Sequence, residues 1–212
     1  MIRILTFVLV LLSAGIAHAA DAMPEFKQPS LNYKTMQSGT YRLDPSHTNV
    51  IFKISHLGFS QYIGRFNDIK GTLSFDANNI TNSDLSVSID PDSVDVNHRV
   101  LEGELKGEKY FNTSSFPDIT FEATSVKQTG PTTGIITGDL NFHGVTKPIQ
   151  LQAKFNGGGK FPFTGTPVLG FAATTTIKRS DFGMTEGIPL VGDEVAIEIQ
   201  TEFHYEDAKT MN

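Results

Sequence analysis

Residues 50–56, which read VIFKISH, place an apolar residue at every second position from Val50 to Ile54. In an extended chain, Val50, Phe52, Ile54 and His56 lie on one side and Lys53 lies on the other. This alternation predicts a β-strand with one apolar face. That face must be buried against other parts of the protein or against a ligand.

The same alternation recurs along most of the chain. It predicts eight or nine strands, near residues 39–43, 50–56, 65–75, 83–90, 119–123, 134–142, 149–155, 169–177 and 194–205. Residues 97–109 have helical spacing instead, with Asn97 as the expected N-cap, although Gly103 and Gly107 weaken the helix. One-sided strands in a single domain predict a closed antiparallel β-barrel with one short helix. A two-sheet sandwich is the alternative, because alternation alone does not exclude it.

The two ends of the chain do not share this pattern. Residues 1–19 combine Arg3, an apolar run over 4–12 and a small-residue pattern at 17–19, which predicts a signal peptide cleaved before Ala20. The apolar run is shorter than the roughly 20 residues that span a bilayer. Residues 20–38 are expected to be a flexible lead-in. The barrel domain is expected over 39–205, and 206–212 is expected to be a C-terminal tail.

Composition narrows the compartment and the partners. The 212 residues carry a formal net charge of -6, which argues against nucleic acid as a partner. The chain contains no cysteine, so disulfides and thiolate metal sites are excluded. An exported chain without cysteine fits the periplasm, with no integral membrane segment after signal cleavage. Association into a homodimer stays open.

Catalytic motifs are missing, and the histidines lack the spacing of a zinc motif. His56 and His143 each end an apolar alternation before a glycine-containing corner. They could meet at one barrel mouth with Asp44 and His47 nearby, as a metal or acid–base site. A structural role, or contact with the polar head of a ligand, is the favoured interpretation. Arg179 is expected to pair with a carboxylate. We therefore predict no catalytic residue and no metal site.

The predicted interior mixes bulky and small side chains. The chain has 16 phenylalanines and no tryptophan. Gly71, Gly138, Ala153 and Ala173 fall among the inward positions. A barrel of eight strands can be filled by its own side chains or can hold one small ligand. The pattern leaves both possibilities open.

Seven ordered blocks carry a family resemblance. They are residues 41–47 (YRLDPSH), 54–60 (ISHLGFS), 64–66 (GRF), 116–121 (FPDITF), 140–148 (LNFHGVTKP), 179–183 (RSDFG) and 191–195 (VGDEV). Together they resemble the YceI-like, polyisoprenoid-binding family of exported bacterial proteins. The resemblance implies an all-β fold, namely an extended eight-stranded antiparallel lipocalin-like barrel. It also implies an apolar tunnel that holds a long-chain isoprenoid lipid, such as a quinone tail, with no cofactor chemistry.

Strand parity then gives the expected ligand-binding residues. The predicted tunnel lining is Val50, Phe52, Ile54, Phe75, Val87, Phe121, Leu140, Phe142, Leu151 and Phe171, and the predicted mouth is His56, His143 and Arg179. The expected function is periplasmic binding, transport or storage of a polyisoprenoid or quinone-like amphiphile by a protein that is not an enzyme. Two alternatives are an enzyme acting on a lipid-like substrate at the mouth and a stress-response interaction module that uses the barrel as a scaffold.

Overall fold

The computed structural model describes residues 27–207. The predicted signal peptide, the start of the lead-in and most of the tail lie outside the described residues. The helices and strands are β1 Gly39–Leu43, β2 Asn49–His56, β3 Ser60–Phe66, β4 Ile69–Phe75, β5 Asp84–Ile89, β6 Val94–Asp95, α1 Arg99–Lys106, β7 Ile119–Gln128, β8 Thr133–Phe142, β9 Val145–Lys160, β10 Pro167–Lys178 and β11 Val191–Tyr205. Within 27–207 no helix is long and apolar enough to cross a membrane.

These eleven segments form eight strands of one closed antiparallel barrel. β11 pairs with β2 along its first part and with β1 at its end, so β1 and β2 act as one interrupted strand. β3 pairs with β2 and β4 pairs with β1, so β3 and β4 form a second interrupted strand. β6 pairs with β3 and β5 pairs with β4, so β5 and β6 form a third. The register Tyr41↔Tyr205 closes the sheet. The predicted eight-stranded antiparallel barrel with one short helix is confirmed, and the sandwich alternative is wrong.

Asp-Pro sequences cause two of the interruptions. Between β1 and β2, the Asp44 side chain accepts a hydrogen bond from the Ser46 N–H at 2.9 Å, and Pro45 starts a single 3₁₀ turn. Between β5 and β6, Asp90 accepts from the Asp92 N–H at 2.8 Å in the same way. Proline has no N–H for the ladder, and the aspartate caps the turn, so the strand stops and resumes.

The connections sort into two ends of the barrel, because antiparallel strands reverse at each turn. The helix end contains α1 and the connections 57–59, 143–144 and 179–190. The far end contains the connections 76–83, 129–132 and 161–166.

Aromatic side chains fill the helix end. Ring centroids lie 5.8 Å apart for Phe66 and Phe111, 5.6 Å for Phe111 and Phe142, and 5.8 Å for Phe142 and Phe182. Leu101 and Leu105 of α1 pack against this cluster. These side chains therefore close the helix end of the barrel.

Helix α1 is shorter than the predicted span and has a different N-cap. His98 Nδ1 accepts a hydrogen bond from the Leu101 N–H at 3.1 Å, whereas Asn97 has a left-handed backbone with φ of 56°. Glu102 reaches back to the N–H groups of Val96 and His98. This reciprocal capping places the N-cap one residue later than expected.

The described part of the lead-in packs on the far end. Ser30 and Gly158 exchange backbone hydrogen bonds of 2.8 and 3.0 Å, and a Cβ at position 158 would collide with the side chain of Met36. The glycines at 157–159 therefore lie in a strand. The strand predicted near 149–155 therefore extends to Lys160, because the missing side chains let this stretch of β9 pair on both edges.

Candidate functional site

The barrel encloses an apolar cavity of about 250 Å³, which extends from the far end to the aromatic cluster of the helix end. Inward positions alternate along each strand of its wall. On β11 they are Ile197, Ile199, Thr201 and Phe203, and on β10 they are Phe171, Ala173, Thr175 and Ile177. Nearly the whole wall is hydrocarbon, so the cavity suits an apolar ligand.

The shape of the cavity is long and narrow. The lining of β8 runs from Thr133 to Phe142, nine residue steps. At ~3.3 Å per residue this is about 30 Å along the strand, and a strand tilt of about 40° reduces it to about 23 Å along the barrel axis. Such a shape suits a chain more than a compact ring system.

A row of small residues opens the space. Gly134, Ala153 and Ala173 lie side by side on β8, β9 and β10, since Gly134 pairs with Ala153 and Ala153 pairs with Ala173. All three line the cavity. Three neighbouring strands thus present no side chain larger than a methyl group, and the space above them stays empty.

The other two small residues of the sequence analysis do not add space. A Cβ on Gly138 would collide with the ring of Phe121, and a Cβ on Gly71 would lie 3.2 Å from Leu43. Neighbouring side chains therefore occupy the room that these glycines leave.

The opening of the cavity lies at the far end. It is bordered by Tyr33 from the lead-in, by Ile80 and Ser83 before β5, and by the β7–β8 hairpin at 128–133. The Tyr33 hydroxyl donates a hydrogen bond of 3.1 Å to Gln128 Oε1 across this opening. Polar groups therefore stand where an apolar chain would enter.

Two hydroxyls in the wall are paired with each other. Thr48 donates to the Asp44 carbonyl at 2.8 Å, so the Thr201 hydroxyl donates to Thr48 Oγ1 at 2.8 Å. Because both hydroxyls are satisfied, the wall remains apolar towards a ligand.

Eight of the ten predicted lining residues face this cavity. They are Val50, Phe75, Val87, Phe121, Leu140, Phe142, Leu151 and Phe171. Contact between these residues and a ligand stays a prediction.

Phe52 and Ile54 do not border the cavity. The Phe52 ring covers Gly64 and packs 5.6 Å from the ring of Phe66, and Ile54 pairs in register with Val195 nearer the helix end. Both side chains lie on the inward face as parity predicted, nearer the helix end than the cavity lining. Contact between them and a ligand stays a prediction.

Arg179 is a buried structural residue at the helix end. Its side chain is 7% exposed and donates four hydrogen bonds, to the carbonyl oxygens of Gly192 (2.8 Å), Met184 (3.1 Å), Glu186 (2.7 Å) and Val191 (3.1 Å). The guanidinium thereby ties down the connection between β10 and β11. Arg179 does not border the cavity, and carbonyl oxygens replace the expected carboxylate partner. Its contact with a ligand stays a prediction.

The two predicted mouth histidines also lie at the helix end. His143 Nδ1 is 3.0 Å from the Phe182 carbonyl, and its ring is 4.9 Å from that of Phe116. His56 ends β2, with its ring 6.3 Å from that of Tyr62. Neither borders the cavity, because this end is closed by aromatic packing.

Asp44 and His47 are not near His56 either. They precede β2, and His56 ends it, so seven residue steps or about 23 Å of strand separate the two places. The acid–base or metal site proposed for a shared mouth therefore does not form from these residues.

The order of the strands could have shown which residues share the end where the cavity opens. Ser83, Gln128 and Thr133 lie at or beside strand ends, and hairpins alternate between the two ends of an antiparallel barrel. Counting turns from β1 places these residues opposite His56 and His143. The positions of the histidines do not indicate which end is open.

Comparison with known proteins extends this picture. The family model described as "YceI-like domain" matches residues 41–203. Protein YceI of Escherichia coli is 38% identical over 198 residues, which cover 93% of this chain and 94% of that protein. A crystal structure of the Campylobacter jejuni YceI protein has a TM-score of 0.65 and 30% identity, covering 73% of this chain and 91% of that one.

A further solved structure shows the shared fold at lower identity. It is a polyisoprenoid binding domain from Saccharophagus degradans, with a TM-score of 0.60 and 16% identity, covering 80% of this chain and all of that one. The span that the family model matches, residues 41–203, contains residues of all eight strands around the cavity. On the family model and on the identity with protein YceI, the chain belongs to the YceI-like family.

Proposed function

We propose that this protein binds the tail of an isoprenoid-type lipid in the barrel cavity and carries or stores that lipid in the periplasm. A polyisoprenoid or a quinone-like amphiphile is the ligand class. The observation that carries the proposal is the narrow, apolar cavity that opens at one end of the barrel. The polyisoprenoid binding domain of Saccharophagus degradans, which shares the fold, supports it.

Burial of hydrocarbon supplies the binding free energy. Each buried methylene contributes about 0.8 kcal/mol, so ten such groups contribute about 8 kcal/mol before losses. Association costs at least about 4 kcal/mol, so the net affinity depends on how many carbons the cavity covers. One isoprene unit adds five carbons, or about 4 kcal/mol gross, so chain length dominates affinity until the cavity is full.

The polar border of the opening suits a head group that stays near water. Tyr33, Gln128, Ser83 and Asp84 surround the entrance. Their hydroxyl and amide groups can donate to a quinone carbonyl, and the Asp84 carboxylate can accept from an alcohol. The cavity wall behind them offers nothing polar, so the tail enters first.

A chain-length series tests the proposal. Purified protein is stripped of lipid, loaded with a fluorescent polyene, and titrated with prenyl alcohols of increasing numbers of isoprene units. We expect affinity to rise steeply with each unit and then to level off once the cavity of about 23 Å is filled. Saturated, unbranched alcohols of equal carbon number are the control for the preference for branched chains.

The same samples separate binding from catalysis. Recovery of every prenyl alcohol unchanged agrees with a binding protein, whereas a new product would favour the enzyme alternative. Affinity that is independent of chain length would contradict a tail-binding cavity.

The periplasmic part of the proposal rests on the sequence of residues 1–19. We expect the protein in the osmotic-shock fraction of the producing cell, with a mature N-terminus at Ala20. Recovery of the uncleaved chain in the cytoplasm would contradict export.

A further inference from the structure

A second group of functional side chains lies on the outer surface of the barrel near the far end. Glu202 and His204 are two residues apart on β11 and share its outward face, since the intervening Phe203 is buried. The Asp44 N–H donates to the Glu202 carbonyl at 2.9 Å, which brings the turn between β1 and β2 beside them. His47 ends that turn.

The distances within this group are unusual for hydrogen bonding. His204 Nε2 lies 3.6 Å from Asp44 Oδ2 and 3.6 Å from Glu202 Oε2. Both distances are too long for hydrogen bonds. His204 Nε2 is nevertheless buried, and it has no hydrogen-bond partner among the described residues. A buried nitrogen between two carboxylate oxygens needs a partner between them.

A small cation fits these distances. Zinc binds nitrogen and oxygen ligands at about 2.0–2.1 Å in a tetrahedron, so neighbouring ligand atoms are about 3.4 Å apart. The two 3.6 Å separations are close to this value. One ligand atom each from Asp44, Glu202 and His204 lies within 4.8 Å of the other two.

His47 is placed to complete the set. Its Nδ1 is 2.6 Å from the same Asp44 Oδ2 that faces His204. This hydrogen bond, together with the charge of Glu202, raises the pKa of His47. The side chain is mostly exposed and can rotate, so its nitrogen can exchange the carboxylate for a cation.

The neighbouring groups leave the site anionic and partly enclosed. Arg42, the register partner of His204, is held by Glu206 at 2.7 Å. The ring of Phe161 lies 5.6 Å from that of His204 and covers one side. A fixed imidazole beside two carboxylates is a pre-organised ligand set.

We propose that Asp44, His47, Glu202 and His204 form a binding site for a divalent transition metal, with Zn²⁺ as the best match. Two imidazoles with two carboxylates favour Zn²⁺ over Ca²⁺ or Mg²⁺, which take oxygen ligands. The site joins the β1–β2 turn to β11, where the barrel closes. Thr48 and Thr201 of the cavity wall lie on the same two elements, so bound metal stabilises this junction next to the cavity.

Calorimetric titration with ZnCl₂ tests the proposal on full-length protein purified from its export host and dialysed against a chelator. We expect one saturable site per chain. Glu202→Gln and His204→Gln each remove one ligand while conserving size. Loss of an outer-shell partner already weakens metal binding by about 10–100-fold, so loss of a ligand is expected to weaken it at least about 100-fold. The matched control is Glu198→Gln, which removes an outward carboxylate four residues earlier on β11, where it pairs with Lys53.

Co²⁺ provides a second readout that does not depend on folding stability. Tetrahedral Co²⁺ in the wild type and in Glu198→Gln should give a strong visible spectrum that is lost in His204→Gln. Circular dichroism verifies that every variant is folded. No saturable Zn²⁺ binding by the wild type would overturn the proposal, and would indicate that a protonated His204 pairs with the carboxylates. Unchanged Zn²⁺ affinity in His204→Gln would overturn it as well.

Discussion

Replacement of Arg179 by methionine should destabilise the barrel without emptying its cavity. Methionine keeps the apolar stem and removes every N–H that serves the carbonyls of Met184, Glu186, Val191 and Gly192. A buried acceptor left without a donor costs about 1–3 kcal/mol. The hydrogen bond to the Met184 carbonyl is buried. The other three carbonyls are only partly buried, so water can replace some of their lost hydrogen bonds in the variant.

We therefore expect the free energy of unfolding to fall by about 3–5 kcal/mol. For a domain of this size each kcal/mol lowers Tm by about 2–4 °C, so the expected shift is on the order of 10 °C. Urea denaturation followed by circular dichroism measures the first value, and a thermal melt measures the second.

The matched control is Arg65→Met. Arg65 pairs with Asp95 at 3.2 Å on the surface, where such an ion pair contributes less than about 1 kcal/mol. A loss below about 1 kcal/mol in Arg179→Met would refute the structural role of this residue. Folded Arg179→Met that no longer retains lipid would instead restore its predicted role in ligand binding.

Two further predictions concern pH. Burial, with the charge of Tyr205, raises the pKa of Tyr41 to about 12. The neutral phenol therefore stabilises the fold below pH ~10, and this stabilisation is lost as the pH rises through ~12. Tyr41→Phe should reduce the loss of unfolding free energy between pH ~10 and ~12. An unchanged loss over this pH range would show that Tyr41 is not its source. Hydrogen bonds from the backbone and hydroxyl of Ser180 lower the pKa of Asp193, so its contribution is present above the unfolded pKa of ~3.9 and is lost as pH falls through the folded value. Asp193→Asn should remove part of the acid dependence in a denaturation series from neutral to acid pH, and retention of the full dependence would count against it.

The sequence predicted the sidedness of the strands well. Val50, Phe121, Leu140 and Leu151 face the interior because inward and outward residues alternate with a period of two. Phe52 obeys the same parity but packs against Phe66 nearer the helix end and does not border the cavity. Parity fixes the side of a strand on which a residue lies, and carries no information about its depth along the barrel axis.

The open end could not be read from the histidines. His143 and Arg179 do lie at one end of the barrel, as predicted, but that end is closed by Phe182, Phe111 and α1. Whether an end is open depends on which distant segments pack across it. Strand alternation does not encode that packing.

Long-range pairing also hid the candidate metal ligands. Asp44 and Glu202 are more than 150 residues apart in the sequence, and their contact exists only because β1 pairs with the end of β11. A search for closely spaced ligands along the chain misses such a site, whereas the closure of the barrel brings its members together.

Mass spectrometry of lipid retained by the purified, export-processed protein tests the central claim most directly. The decisive comparison is Ala173→Phe, which fills the cavity beside Ala153, with Ala196→Phe, which adds the same ring to the exposed face of β11. We predict a long-chain isoprenoid, near one per chain, in the wild type and in Ala196→Phe, and little or none in folded Ala173→Phe. Equal lipid in all three proteins, or none in the wild type, would contradict the account.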